Sequence, residues 1–225
     1  MDKKKEVADI KFKIHRFKRY HFMKEIVLVL ATRNKGKMKE FKLLFHRLPV
    51  KIKGVSEFRS LSKFEEEGST FEEIAINKAK CVSKALDLPA IADDSGLAVE
   101  ALNGAPGIFS ARYAGKLATN GKNNRKLLEK MEGKENRNAT FMCSIAISKP
   151  NGQILTYAGE CSGIILYEPV GTNGFGYDPF FYYPPLKKTF AQLSVEEKSR
   201  VSHRGQAMRK VKNDFKKIMI WLKEK

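Results

Sequence analysis

A six-residue apolar run, Ile26 to Ala31, opens the patterned part of the chain. The run shows no alternation of apolar and polar residues, which is typical of a strand buried on both faces. A polar turn at residues 32–37 follows it, and an amphipathic helix comes next. A buried strand that leads through a short turn into such a helix indicates an α/β fold. The apolar positions at helical spacing are Met38, Phe41, Leu44, Phe45 and Leu48.

Further helices and strands are interspersed along the chain. Thr70 and Glu73 have the spacing of a capping box at a helix start, and Ser194 and Glu197 repeat it. Pro150-Asn151-Gly152 lies between two strand patterns and predicts a hairpin. Elements of both kinds, with one hairpin, predict an α/β class with a mixed sheet in a single domain over residues 23–225. A single last helix is expected to bury Ala207, Val211, Phe215, Ile218 and Leu222.

The composition excludes several protein classes. Of 225 residues, 42% are hydrophobic, so the chain can form a core. The three cysteines form no Cys-x-x-Cys pair, which excludes a disulfide framework and predicts a reduced, cytoplasmic setting. No apolar run approaches the length of a membrane span. The net charge of +18 is compatible with nucleic acid, an acidic membrane surface or a polyanionic small substrate, and does not choose among them.

Residues 1–22 differ from the rest, with eight basic and three acidic side chains. Their apolar residues suit a helix and a strand equally, which indicates weak structure. One interpretation is a basic arm that binds nucleic acid or a partner. The other, which we favour, is a disordered leader or a misassigned start with Met23 as the first residue.

The turn at residues 32–37 is a candidate anion site. Backbone amides at the start of the following helix favour negative charge, and Lys35 and Lys37 add positive charge. The turn is not a Walker A loop, because Thr32 and Met38 stand where that motif needs other residues. A solvated basic turn is the alternative.

Asp93 and Asp94 follow an apolar strand and are candidate site carboxylates. Adjacent strand residues point to opposite faces, so only one is expected to face a ligand. The Ser95-Gly96 pair is expected to form a turn that a ligand can approach. Carboxylates in the acidic stretch at residues 65–67 would join such an aspartate at a Mg²⁺ ion if the two met in space.

Two later segments could recognise a base. Phe175-Gly176-Tyr177-Asp178 places aromatic rings beside glycines, where a ring can stack on a flat heterocycle. In Ser202-His203-Arg204, the arginine can donate several hydrogen bonds. His203 would otherwise be an ordinary residue of a helix start.

Together these segments resemble the inosine triphosphate pyrophosphatase family, which hydrolyses non-canonical purine nucleoside triphosphates. The resemblance spans about residues 24–222, and the motifs occur in the family's order. One departure is Ile74, where many relatives carry asparagine. The matching stretches are residues 31–37, 68–71 with Lys78, 92–97, 104–107, 110–113, 174–179, 197–199 and 202–205.

The resemblance implies an elongated mixed sheet with flanking helices, two lobes around a substrate cleft, and a homodimer. It implies Mg²⁺-dependent hydrolysis of ITP, dITP and XTP to the monophosphate and pyrophosphate. Asp94 would be the catalytic acid–base and a metal ligand, with Glu65 as its metal partner and Glu66 as the fallback. The triphosphate would be held by Thr32, Arg33, Asn34, Lys35, Gly36, Lys37, Lys78 and Ser95. The base and ribose would be framed by Phe175, Gly176, Tyr177, Asp178, Lys198, His203 and Arg204.

Two alternatives remain open from the sequence. A Maf-like pyrophosphatase of modified pyrimidine nucleotides would have a similar fold, but the Ser202-His203-Arg204 segment favours the purine group. A nucleic-acid-binding protein would explain the charge, but no zinc knuckle, recognition helix or RNA-binding aromatic motif is present. We expect nucleic acid binding to be weak and nonspecific at most.

Overall fold

The structure, a computed structural model, describes residues 26–46, 48–58 and 67–224. These residues contain seven strands and six α-helices. The strands are β1 (Ile26–Leu30), β2 (Val50–Gly54), β3 (Ala90–Val99), β4 (Asn138–Ser148), β5 (Ile154–Ile165), β6 (Phe181–Tyr183) and β7 (Lys188–Thr189). The helices are α1 (Lys35–Leu44), α2 (Phe71–Leu86), α3 (Asn120–Lys130), α4 (Val195–Val201), α5 (His203–Asn213) and α6 (Phe215–Trp221).

All seven strands belong to one sheet, in the order β2-β1-β3-β4-β5-β6-β7. β1 runs parallel to β2 and to β3, while β3, β4 and β5 form a long antiparallel ladder. The predicted α/β class with a mixed sheet is therefore confirmed. None of the helices in the described residues has the length and apolarity needed to cross a lipid bilayer.

The helices cover the two faces of the sheet unequally. α1, α5 and α6 pack on one face around Leu28, Phe41 and Ile145, whereas α2 packs on the other around Ala79 and Ala92. A third apolar cluster surrounds Phe181, at the end of the sheet where β5 pairs with β6. The first turns of α1 and α5 both lie beside the middle of β3, where Lys37 and Arg204 contact Asp93.

Gly159 sets the close approach of α5 to β5. A β-carbon at this position would lie 2.3 Å from the His203 carbonyl oxygen and 2.5 Å from the Ala207 amide nitrogen. Only glycine allows the first turn of α5 to lie directly on the strand. This contact places the His203-Arg204 pair over the centre of the sheet.

The structure corrects three local predictions. Ser95 and Gly96 do not form a turn, because β3 continues through Val99, and Gly96 is required by a loop that lies 2.4 Å from where its β-carbon would be. The single last helix is two helices, α5 and α6, which meet at Asp214. The capping box at Thr70 is half formed. The Thr70 hydroxyl accepts from the Glu73 amide, but the Glu73 carboxylate accepts from the Ser69 amide and not from the Thr70 amide.

Other local predictions are confirmed. The hairpin at Pro150-Asn151-Gly152 joins β4 to β5, and β5 runs without a break from Ile154 to Ile165. The capping box of Ser194 and Glu197 has both of its hydrogen bonds at the start of α4.

Candidate active site

A cleft of about 500 Å³ opens at the centre of the molecule, a volume suited to a small-molecule ligand. The turn after β1 and the middle of β3 form one wall. The loops at residues 107–112 and 174–178 and the adjoining parts of α4 and α5 form the others. The cleft therefore collects segments that lie far apart in the sequence.

Most of the predicted site residues lie on this cleft. Lys35 is exposed in the first turn of α1 and, with Gly36, is outside the cleft wall. Lys78 lies behind the wall, in contact with Asp94. Glu65 and Glu66 lie outside the described residues. The predicted residues that line the cleft are Thr32, Arg33, Asn34, Lys37, Asp94, Ser95, Phe175, Gly176, Tyr177, Asp178, Lys198, His203 and Arg204.

The turn after β1 ends in a capped helix that points at the cleft. The Asn34 side chain accepts a hydrogen bond from the Lys37 amide at 3.0 Å and so caps α1. The Thr32 hydroxyl accepts from the Asn34 amide at 3.2 Å and fixes the turn. This helix start carries partial positive charge, which favours an anion in front of it.

Asp94 presents a carboxylate to the cleft and is 8% exposed. Lys78 donates to its Oδ1 at 2.7 Å, and no other residue that the structure describes donates to this carboxylate. Burial raises the pKa of Asp94 above its usual value, and the charges of Lys78 and Lys37 only partly oppose this effect. A carboxylate with a raised pKa is suited to accept a proton.

Asp93 points to the opposite face and is fully buried. Its Oδ2 lies 3.0 Å from the Lys37 Nζ and accepts from the Arg204 Nη2 at 2.8 Å. Burial alone would raise the pKa of Asp93, but Lys37, Arg204 and Lys78 hold it well below its usual value. The adjacent aspartates therefore differ in environment, as expected for neighbouring strand positions.

A second group of buried charges surrounds Lys198. Its Nζ lies 2.6 Å from Asp178 Oδ2 and 2.9 Å from Glu40 Oε1. Burial alone would lower the pKa of Lys198, but Asp178 and Glu40 raise it above its usual value. Glu40 also accepts from Arg204 Nη1, so it joins this group to Asp93.

Among the described residues, the two groups together are neutral. Each of the four cations is paired with at least one carboxylate, so their positive charge is already balanced before any nucleotide arrives. The sequence predicted that Lys37 and Lys78 hold the triphosphate and that Lys198 and Arg204 frame the base and ribose. In the structure all four first hold acidic side chains. The cations are Lys37, Lys78, Lys198 and Arg204, and the anions are Glu40, Asp93, Asp94 and Asp178.

Phe175 covers part of this charged network. Its ring centroid lies 4.8 Å from the Lys198 Nζ and 6.0 Å from the Arg204 Cζ, within cation–π range. The Phe175 amide donates to Asp178 Oδ2 at 2.8 Å, and Gly174 allows this turn with a φ of 77°. The ring thus lies on the cleft with its position set by the loop and by the cations beneath it.

His203 and Tyr177 are more buried than the sequence suggested. The His203 ring is 4% exposed and stacks on Phe141 at 4.7 Å. Burial, together with the nearby Arg204 and Lys198 charges, lowers the pKa of His203 well below its usual value, so the ring is neutral near pH 7. The Tyr177 hydroxyl donates to the Ser110 carbonyl oxygen at 2.9 Å and links two loops of the cleft.

Several residues of the cleft and of the charged network beside it were not selected from the sequence. Glu40 lies on the α1 face that carries Lys37 one turn earlier, and that helical spacing was the available signal. Ser110 and Arg112 lie within a stretch that carried the resemblance, but no role was given to them. Asn123 and Phe141 gave no signal, because an asparagine in a helix and a phenylalanine in a strand are ordinary.

The donor set at Asp94 fits a magnesium ion. Mg²⁺ takes few carboxylates and completes its shell with water and substrate phosphates. Asp94 lies on the cleft with its Oδ2 free of protein donors within the described part of the chain. No group of three acidic, histidine or cysteine residues suited to a metal occurs among those residues, so further ligands would come from water, from substrate phosphates or from residues outside the described part of the chain.

A family model described as the Ham1 family matches residues 28–214. Two relatives called dITP/XTP pyrophosphatase are similar to this chain. The protein from Desulfotalea psychrophila is 50% identical, over 88% of this chain and 89% of its own length. The protein from Syntrophobacter fumaroxidans is 48% identical, over 89% of this chain and 86% of its own length.

Two solved structures are also similar to this chain. The Ham1 protein of Staphylococcus aureus superposes with a TM-score of 0.76 at 45% identity, covering 84% of this chain and 98% of its own. A HAM1 protein from Coxiella burnetii gives 0.78 at 44% identity, covering 85% and 99%.

Proposed function

The chain belongs to the Ham1 family, and on that basis we propose that it hydrolyses non-canonical purine nucleoside triphosphates to the monophosphate and pyrophosphate. The observation that carries the proposal is the position of Asp94, a carboxylate with a raised pKa on a cleft beside a helix start and paired cations. The two relatives described above are called dITP/XTP pyrophosphatase, which agrees with this site. The family relationship predicted from the ordered motifs is confirmed.

The residues of the site fall into two groups, one that binds the phosphates and one that activates water. The helix start after Asn34 and the exposed Arg33 face the cleft and can bind phosphate oxygens. Asp94 accepts the proton of a water that attacks a phosphorus atom. Lys78 holds the Asp94 carboxylate in one orientation through Oδ1. Phosphoanhydride hydrolysis asks mainly for such positioning and charge balance.

We propose Mg²⁺ as the cofactor, held by Asp94 and by Glu65 of the stretch outside the described residues. The argument is electrostatic: a nucleoside triphosphate is a polyanion, and the four cations and four carboxylates of the two charged groups already sum to zero. When bound, Mg²⁺ supplies neutralisation of the phosphate charge and a lowered pKa of water.

Base recognition is proposed to involve Phe175 and Arg204. The Phe175 ring offers a stacking surface at the cleft. Four Arg204 N–H groups donate to Asp93, Glu40 and Ser95. A guanidinium has five, and the fifth, on Nη1, can donate to the 6-keto oxygen of hypoxanthine or xanthine. Adenine carries an amine there, so a donor would face a donor at a cost of about 1–3 kcal/mol.

The test is a pyrophosphate-release assay over ITP, dITP, XTP, GTP and ATP, with Mg²⁺ and with chelator. We expect rapid pyrophosphate release from the first three, loss of activity with chelator, and rescue by added Mg²⁺. Orthophosphate as the first product would contradict the proposed bond cleavage. Equal rates with chelator would contradict the metal assignment alone.

A homodimer is proposed from the open part of the sheet. Met142 on β4 and Ile164 on β5 are 37% and 36% exposed on the face that α2 leaves uncovered. Thr140 and Ser162 are uncharged neighbours on this face, whereas the exposed Glu160 pairs with Met142, so the face carries one acidic side chain within a strongly basic chain. Light scattering should give twice the chain mass, and Met142→Glu should give monomers.

Nucleic acid binding is expected to be weak and lost with salt.

A further inference from the structure

Asp93 contacts several charged side chains of the site, and the proposed reaction gives it no role that would explain these contacts. Its Oδ2 accepts from Arg204 Nε at 3.1 Å and Nη2 at 2.8 Å, from the Ser95 hydroxyl at 3.2 Å, and lies 3.0 Å from Lys37 Nζ. Its backbone oxygen accepts from Lys78 Nζ at 2.8 Å. One residue therefore contacts cations from α1, α2 and α5.

Asp93 itself cannot reach a substrate. Its side chain is 0% exposed and does not line the cleft, while Lys37, Ser95 and Arg204 do. Any effect of Asp93 on the reaction must therefore pass through these neighbours. We infer that Asp93 is a positioning residue, which holds Lys37 and Arg204 in fixed places on the cleft wall. This inference rests on the proposed function.

The energetic reason for this role is the balance of charge. Arg204 has a second carboxylate partner, Glu40, and stays paired if the Asp93 charge is lost. Lys37 has no other carboxylate partner among the described residues and is 13% exposed at its side chain. Lys37 is therefore the group that moves when the charge of Asp93 is removed, and it moves toward the cleft.

Asp93→Asn removes the charge with little change of shape. No hydrogen bond reaches Asp93 Oδ1 from the described residues, so the amide nitrogen can take that place while the amide oxygen keeps the Oδ2 contacts. We expect kcat for ITP to fall about 100-fold, as for a displaced site group, with KM unchanged or lower because the cleft gains positive charge. A kcat within about twofold of wild type would overturn the inference.

A double-mutant cycle with Lys37→Gln separates positioning from general destabilisation. If Asp93 acts through Lys37, Asp93→Asn has little further effect on kcat in the Lys37→Gln enzyme. Multiplying effects would show that Asp93 does not act through Lys37 and would overturn the inference that it positions this lysine. Lys149→Met is the matched control: it removes a buried cation away from the cleft and should leave kcat unchanged. If the Asp93→Asn chain does not fold, Lys37→Gln alone decides, because wild-type kcat there would also overturn it.

A spectroscopic measurement tests the inference apart from the activity. In the wild-type chain, the Arg204 Nε–H resonance, assigned by its loss in Arg204→Lys, should exchange slowly with solvent because Asp93 accepts it. Asp93→Asn should accelerate this exchange by about tenfold or more, since a charged acceptor is stronger than a neutral one. Unchanged exchange would overturn the inference. Absence of pyrophosphate release by the wild-type protein would contradict only the proposed function.

Discussion

The contact between Gly36 and the Phe175 ring allows a quantitative prediction. Gly36 lies in the first turn of α1, directly against this ring. A β-carbon at position 36 would lie 2.5 Å from Cδ1 and 2.8 Å from Cε1 of Phe175. Because carbon atoms pack at about 3.5–4.0 Å, Gly36→Ala requires the ring to move by about 1 Å. The loop can yield there, since the ring lies at the surface of the cleft.

The displaced ring should weaken substrate binding more than the chemical step. Stacking of a base on an aromatic ring contributes about 1–3 kcal/mol, so partial loss corresponds to a roughly tenfold rise of KM for ITP. Asp94 and Lys78 lie on β3 and α2 and keep their 2.7 Å contact, so kcat should change by less than about threefold. Alanine favours a helix over glycine by about 1 kcal/mol, so the stability should not fall greatly.

The assay is steady-state pyrophosphate release over a range of ITP concentrations. The control is Phe175→Ala, alone and combined with Gly36→Ala. If Gly36 acts through the ring, Gly36→Ala has no further effect on KM once the ring is absent. An unchanged KM in the single Gly36→Ala variant would refute the reasoning, as would a further large rise of KM in the double variant.

Three further predictions concern other buried groups. Asp94→Asn should lower kcat about 100- to 10,000-fold with the melting temperature retained; wild-type pyrophosphate release would contradict its role as proton acceptor. The lowered pKa of His203 means that the unfolded chain binds a proton that the native chain does not, so stability should fall by about 1.4 kcal/mol per pH unit below pH 6.5. Urea unfolding at pH 7 and pH 5 should show this loss in wild type and a smaller one in His203→Gln. Lys149→Met should lower the unfolding free energy by about 1–3 kcal/mol, because Lys149 donates to the carbonyl oxygens of Trp221 and Glu224; unchanged urea unfolding would contradict this.

The secondary structure could be predicted where local signals are strong. The apolar run after Met23 became β1, the Ser194 capping box starts α4, and the hairpin lies at its expected turn. Predictions failed where distant contacts override the local signal. Gly96 suggested a turn, but its small size serves the approach of the loop at residues 107–112 to a continuous strand.

The candidate residues could also be selected from the sequence, because they belong to recognisable motifs, and thirteen of them lie on one cleft. The pairing of their charges could not be predicted. A lysine in a sequence is a positive charge, and the sequence suggested that several such charges face the nucleotide directly. In the folded chain, Lys198 is held by Asp178 and Glu40, and Lys37 by Asp93.

The sequence by itself determined the α/β class, the family and the chemical groups of the site, since periodicity and motif order are properties of the chain. Only the tertiary structure decided which carboxylate neutralises which cation, and that Asp93 is enclosed against Lys37 and Arg204. The physical reason is that burial and Coulomb interactions depend on distances between residues up to 164 positions apart, as for Glu40 and Arg204, and no local pattern encodes these distances.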